Sequence, residues 1–160
     1  MQQINMTVLL PCFLLGCIAG LRSLTAPALV CWAAHLGWLH FSGTKLAFIG
    51  RPWTLTLFTL LALVELIADK LPGTPARTAP VGLIARIVLG GACGVALAIS
   101  AGTNVPLAAI AGMLGALVGT YAGYNIRRAL VSQRHLPDFA VALAEDTVAI
   151  AVGLLIVSRF

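Results

Sequence analysis

The sequence predicts an all-α protein: a polytopic transmembrane helix bundle with about five membrane segments, the first broken or re-entrant between Gly20 and Pro27. Three observations carry that expectation. Of 160 residues, 60% are apolar and 9% charged, whereas soluble domains carry about 25% charged residues to cover a water-facing surface. The apolar residues fall in long runs, and crossing a hydrocarbon core of about 30 Å takes about 20 residues at 1.5 Å each. The breaks between runs hold most of the prolines and most of the basic residues.

The first run covers about residues 6–38, too long for one simple crossing, and is interrupted at Gly20-Leu21-Arg22-Ser23. Pro27 removes a helical hydrogen bond nearby, so two arrangements stay open, a single broken crossing or a re-entrant pair of half-helices. Arg51-Pro52-Trp53 starts the second segment, about residues 53–68, with proline where its missing N–H costs little. Leu71-Pro72-Gly73-Thr74-Pro75 cannot continue a helix, and Thr78-Ala79-Pro80 starts the third, about residues 81–101. An uncharged turn, Gly102-Thr103-Asn104-Val105-Pro106, leads into the fourth, about residues 105–126. Leu136-Pro137-Asp138 opens the last, about residues 139–157, with Asp138 placed to complement its N-terminal dipole. Residues 1–160 read as a single transmembrane domain.

Ten Lys and Arg against five Asp and Glu give a formal charge of +5. Confined to short loops, those cations read as membrane orientation by the positive-inside rule. No exposed basic face remains for the phosphate contacts of nucleic-acid binding. Residues 70–80 hold Lys70 and Arg77, and the loop after the fourth helix holds Arg127, Arg128 and Arg134. Both loops are expected in the cytoplasm, which places the chain in the bacterial cell inner membrane, multi-pass, with the lipid bilayer as its first partner. Trp32, Trp38 and Trp53 flank the stretch 40–50, where amphipathic rings favour the headgroup boundary.

The fourth segment carries Gly112, Gly115, Gly119 and Gly123. Small residues four apart let another helix backbone come close, which drives association where lipid cancels the hydrophobic effect. They are expected to pack the bundle, and to be the surface for a homo-oligomer or a larger membrane complex. Two faint echoes also occur, Gly16-x-x-Ala19-Gly20 with Gly119-x-x-Ala122-Gly123, and Leu61-Ala62-Leu63-Val64-Glu65 with Val141-Ala142-Leu143-Ala144-Glu145. If the first region crosses once, both pairs run in opposite senses, as transporter repeats do.

Ionisable groups inside a bilayer are costly, so each needs a partner, a water-filled cavity or an interface. Arg22 sits deep in the first run, Arg86 inside the third segment, Glu65 and Asp69 one helical turn apart, and Glu145 and Asp146 inside the last. Ser23 and Thr25 are placed to satisfy backbone groups freed at the break. Arg22, Ser23, Thr25, Glu65, Asp69, Arg86, Glu145 and Asp146 are therefore the candidate ion pathway or polar cluster, and Arg22 is expected to pair with one of the carboxylates.

Three stretches resemble a family of small bacterial membrane proteins catalogued as a domain of unknown function. They are Gly20-Leu21-Arg22-Ser23-Leu24-Thr25-Ala26-Pro27-Ala28, then Ala68-Asp69-Lys70-Leu71-Pro72-x-Thr74-Pro75-x-Arg77-Thr78-Ala79-Pro80, and Ala142-Leu143-Ala144-Glu145-Asp146. The resemblance covers nearly the whole chain and implies a polytopic fold without a particular chemistry. The residues themselves hold no H-E-x-x-H or G-x-S-x-G motif. Cys12, Cys17, Cys31 and Cys93 lie in apolar runs without a C-x-x-C pair. Neither an enzyme, nor a metal site, nor a cofactor is expected. The deep charges point to a transporter or channel for an ion or small polar solute; the alternative is a non-catalytic accessory or assembly protein of a larger membrane complex.

Overall fold

The computed structural model describes residues 6–70, 78–134 and 137–160; Arg77, and His135 with the residue after it, lie outside the described residues. In chain order the elements are α1 (Met6–Leu21), α2 (Thr25–His35), α3 (Pro52–Ala68), α4 (Pro80–Ala101), α5 (Val105–Arg134) and α6 (Asp138–Val157). All are α-helices, and the described residues contain no strand. Three of them, α4, α5 and α6, are long and apolar enough to cross a membrane. The others are shorter, with 16, 11 and 17 residues in α1, α2 and α3.

Local chemistry accounts for the boundaries. Pro52 and Pro80 open α3 and α4, where the first N–H groups have no helical partner to lose. α4 ends at Gly102 in the left-handed region (φ 63°). Thr103 N–H then donates to the Ala98 carbonyl at 3.0 Å, the closing bond of a glycine C-cap. One residue on, the Asn104 side chain accepts from Leu107 N–H at 3.1 Å and caps α5. Pro27 does not kink a continuing helix. It lies in the first turn of α2, where its missing donor has no intrahelical acceptor anyway. α5 runs well past the expected end, so Arg127 and Arg128 stand on a helix and not in a loop. Residues 124–134 contain neither Gly nor Pro, so no helix breaker lies in that stretch.

The centre of the bundle is a close stack of α1, α4 and α5. Gly16, Gly90 and Gly112 meet so tightly that a methyl group on Gly16 would strike the Gly112 carbonyl, and one on Gly112 the Gly90 carbonyl. Further along, Gly115 faces the Phe13 backbone and Gly119 that of Cys17. These contacts advance in step, so α1 and α5 run in the same direction. Gly90 against Gly112 and Gly94 against Ala108 make α4 antiparallel to both.

The first apolar run is a helical hairpin. α1 descends to Arg22, whose N–H donates to Ile18, and α2 returns. Leu29 of α2 packs on Gly153, as does Ile18 of α1. Beyond α2, His40 N–H donates to Ser100 Oγ at the far end of α4 (2.9 Å). Leu39 and Phe41 are buried there as a lid on the core, so part of the stretch 40–50 packs inward. The start of α1, residues 36–51 and the Gly102 turn thus share one end of the bundle. Lys70, the start of α4, the last turns of α5 and Asp138 share the other, called here the Lys70 end. Of the two arrangements left open for the first run, the structure adopts the returning pair.

Two expectations fall with this geometry. The echoes at α1 and α5 run in the same sense while those at α3 and α6 run in opposite senses, so no single axis relates both. Gly112, Gly115 and Gly119 are buried against the chain's own α1 and α4, and Gly123 is buried beside a groove between α5 and α6. Intramolecular packing uses the surface expected to meet a partner, because each close approach is already filled by another backbone.

Most of the outer surface is apolar. On α3, Trp53, Leu57, Leu60, Leu63, Val64 and Ile67 are exposed, and only Thr54 and Ala62 are buried. A continuous apolar surface of this extent fits contact with lipid tails. α3 is attached to the rest mainly through α2. Trp32 Nε1 donates to Thr59 Oγ1 across that contact (3.1 Å), the buried Thr54 hydroxyl donates to the Phe48 carbonyl at the start of α3 (2.7 Å), and Glu65, Asp69 and Lys70 make further polar ties at the Lys70 end. Trp32 is therefore a helix-to-helix tie as well as an exposed ring.

Candidate functional site

The hairpin turns back before the long helices end. Gly20 lies against Ala116 and Thr120 of α5, and Arg22 meets Asp146 of α6. From this level α4, α5 and α6 continue toward the Lys70 end by about 9–21 Å, counting 1.5 Å per residue from Arg86, Thr120 and Asp146. The tip of the hairpin and the end of α3 therefore sit inside the thickness that the long helices span.

At that level the chain builds a polar layer. Arg22 is 0% exposed and among the largest fully buried side chains. Its Nη1 pairs with Asp69 at the C-terminus of α3. Its Nη2 lies 2.5 Å from Asp146 Oδ1, a close ion pair. The other oxygen of Asp146 accepts from Lys70 Nζ at 2.7 Å, and Lys70 also donates to the Leu66 carbonyl at 3.0 Å. Two cations and two carboxylates thus alternate across three elements. Moving one guanidinium to mid-membrane costs roughly 2.5–3.5 kcal/mol on insertion scales, and the paired carboxylates offset much of that.

Glu65 does different work. Its carboxylate accepts from the N–H groups of Ser23 (2.7 Å) and Leu24 (2.8 Å), and from the Ser23 hydroxyl. Leu24 is the N-cap of α2 and offers no capping side chain. A carboxylate from α3, one turn before Asp69, takes that place at the positive end of the helix dipole. Thr25, the first residue of α2, is 4% exposed. Its hydroxyl makes no hydrogen bond among the described residues, and neither does Arg22 Nε.

Of the eight candidate residues, Arg22, Ser23, Thr25, Glu65, Asp69 and Asp146 meet at the tip. Arg86 is buried on α4, one turn from Gly90 and at the same height. Glu145 has a different partner. Its neighbour Asp146 faces the hairpin, and one residue turns a helix by about 100°. Glu145 instead faces Arg127 (3.9 Å), which also grips Asp138 with two bonds of 2.9 and 2.8 Å. That second pair closes one side of an apolar groove of about 370 Å³ lined by Leu21, Ile126, Leu130, Val141 and Val148 among others.

Lys70 belongs to the network, although its place in the sequence reads as a loop charge. The signal was its position directly after Asp69, at the end of an apolar helix that carries two acids on one face. The backbone donors of Ser23 and Leu24 had no such signal, since any residue supplies an N–H.

Against known proteins, a family described as Domain of unknown function (DUF4126) matches residues 9–158. No curated protein and no solved structure matches the chain at a significant level.

Proposed function

Starting from a chain that belongs to the DUF4126 family, we propose that this protein is a transporter or channel for an ion or small polar solute, without catalytic activity. Its place is the bacterial inner membrane, with the Lys70 end in the cytoplasm. The reading rests on one observation: a fully buried arginine at the tip of a hairpin that turns back inside the membrane thickness, held by side chains from α3 and α6.

Buried ion pairs add little to stability compared with apolar residues of the same size. Simple joining of three helices does not account for Arg22, Asp69 and Asp146. An intramembrane charge marks an ion or substrate path by default. The layer also sits where α3, thinly attached elsewhere, meets the hairpin, so a small displacement of α3 opens it. Lys70 and Asp69 are partly exposed, which gives the layer an edge toward the Lys70 end. The accessory reading loses its main support, because the glycine faces are occupied within the chain.

The test is flux. Purified protein in liposomes is assayed for movement of H+, Na+, K+ and Cl− against protein-free vesicles. The expected result is a conductance for at least one ion that Lys70→Met alters. Vesicles indistinguishable from protein-free ones for every ion would remove transport of these ions and return the accessory role.

A further inference from the structure

We propose that the hairpin tip is an anion site occupied by the chain's own Glu65, and that a small monovalent anion, halide or carboxylate, exchanges with it as Glu65 takes up a proton. The inference rests on the transport reading and names its substrate class.

The site is built from donors. Two successive backbone N–H groups, those of Ser23 and Leu24, and the Ser23 hydroxyl converge on one carboxylate. They stand at the N-terminus of α2, an 11-residue helix, whose dipole end favours a negative charge. The helix end is not the only evidence. A carboxylate already sits there, carried by another element and so removable without unfolding α2. Beside it, the Thr25 hydroxyl is buried and unbonded among the described residues. It is an additional donor that Glu65 does not use. Arg22 lies three residues earlier, and its Nε is likewise unbonded among the described residues.

Glu65 leaves when it loses its charge. A neutral carboxyl group gives up most of the attraction to the dipole end, since charge-assisted hydrogen bonds are roughly twice as strong as neutral ones. A free anion then takes its three donors. One proton and one anion enter together, so the net charge of the layer is unchanged. The charged groups around Glu65 are Arg22 on the hairpin, Asp69 and Lys70 on its own chain segment, Asp146 on α6, and Arg86 at the same height on α4. The Arg22 pairs with Asp69 and Asp146 hold the layer together while Glu65 swings, because Glu65 takes no part in them.

The experiment uses the full chain in liposomes. Chloride efflux and radiolabelled lactate efflux are measured across a pH series, for the wild type and for Glu65→Gln, which stays neutral at every pH. The expected result is wild-type anion flux that rises as pH falls, and Glu65→Gln flux that has lost its pH dependence and stays high. The chloride and lactate arms distinguish a halide from a carboxylate as the anion. Unchanged pH dependence in Glu65→Gln would overturn the exchange. Cation or proton flux without anion flux would overturn it too, while leaving the transport reading intact. Silence for every ion and for lactate would remove both. If Glu65→Gln does not fold, the wild type decides alone: chloride or lactate, at constant ionic strength, must raise its melting temperature at low pH and not at high pH.

Discussion

Arg22 and Lys70 both pair with Asp146, yet their burial makes the two contacts unequal. The Arg22 side chain is 0% exposed and that of Asp146 6%, while the Lys70 side chain is 22% exposed. Removing one partner of a buried pair leaves an uncompensated charge and costs about 3–5 kcal/mol. A partly solvated pair is worth about 0–1 kcal/mol. Asp146→Ala is therefore expected to lower stability strongly and Lys70→Met only slightly, both read by thermal unfolding in detergent. Adding Arg22→Met to Asp146→Ala is expected to recover part of the loss. Equal effects of Asp146→Ala and Lys70→Met would show that the layer is uniformly wet.

At the scale of the helix, α1, α4 and α5 depend on the absence of side chains. Gly112 touches α1 through Gly16 on one side and α4 through Gly90 on the other, so one residue spaces two interfaces. A side chain there strikes the Gly90 backbone of α4, and backbone cannot rotate away. Gly112→Leu is expected to cost more than the roughly 1–3 kcal/mol of ordinary overpacking, seen as lost folded yield in size-exclusion chromatography. Gly43 provides the control, because a side chain there would have nothing within 4 Å. It has a φ of +76°, so Gly43→Asn, which tolerates the left-handed region, is expected to leave the yield unchanged. Equal yields from Gly112→Leu and the wild type would contradict the close stack. α3 is the contrasting element. It contains no glycine, and its contact with α2 together with its polar end positions it.

For the molecule as a whole, the hairpin decides the sidedness of the N-terminal region. An element that returns puts the start of α1 and the stretch 36–51 at one end of the bundle, with the last turns of α5 at the other. In a cysteine-free background, Thr7→Cys and Ser42→Cys are expected to react with a membrane-impermeant reagent from the same side. Ser132→Cys is expected to react from the opposite side. Labelling of Thr7→Cys from the side of Ser132→Cys would mean a single crossing. Lys45 and Arg51 then lie opposite the larger basic cluster, a minor charge against the bias and no obstacle to it, since orientation follows the excess of Lys and Arg.

Composition and run length determined the all-helical membrane architecture without help from tertiary contacts, because a hydrocarbon core dictates helix length and excludes unpaired charge residue by residue. The same cost argument picked out Arg22, Glu65, Asp69 and Asp146, since the expense of a buried charge is a property of the residue and its depth. Prolines and the Gly102 turn placed the helix starts within a residue or two, because their backbone restrictions are local. Three matters needed the fold. Whether the chain crosses or turns back at Arg22 depends on contacts with residues distant in sequence, Gly153 and Asp146 of α6 among them. Which carboxylate meets Arg22 depends on helix rotation, and it separated Asp146 from its neighbour Glu145. Whether the glycines of α5 face a partner or their own chain depends on where α1 lies, and no periodicity within α5 records the position of another helix.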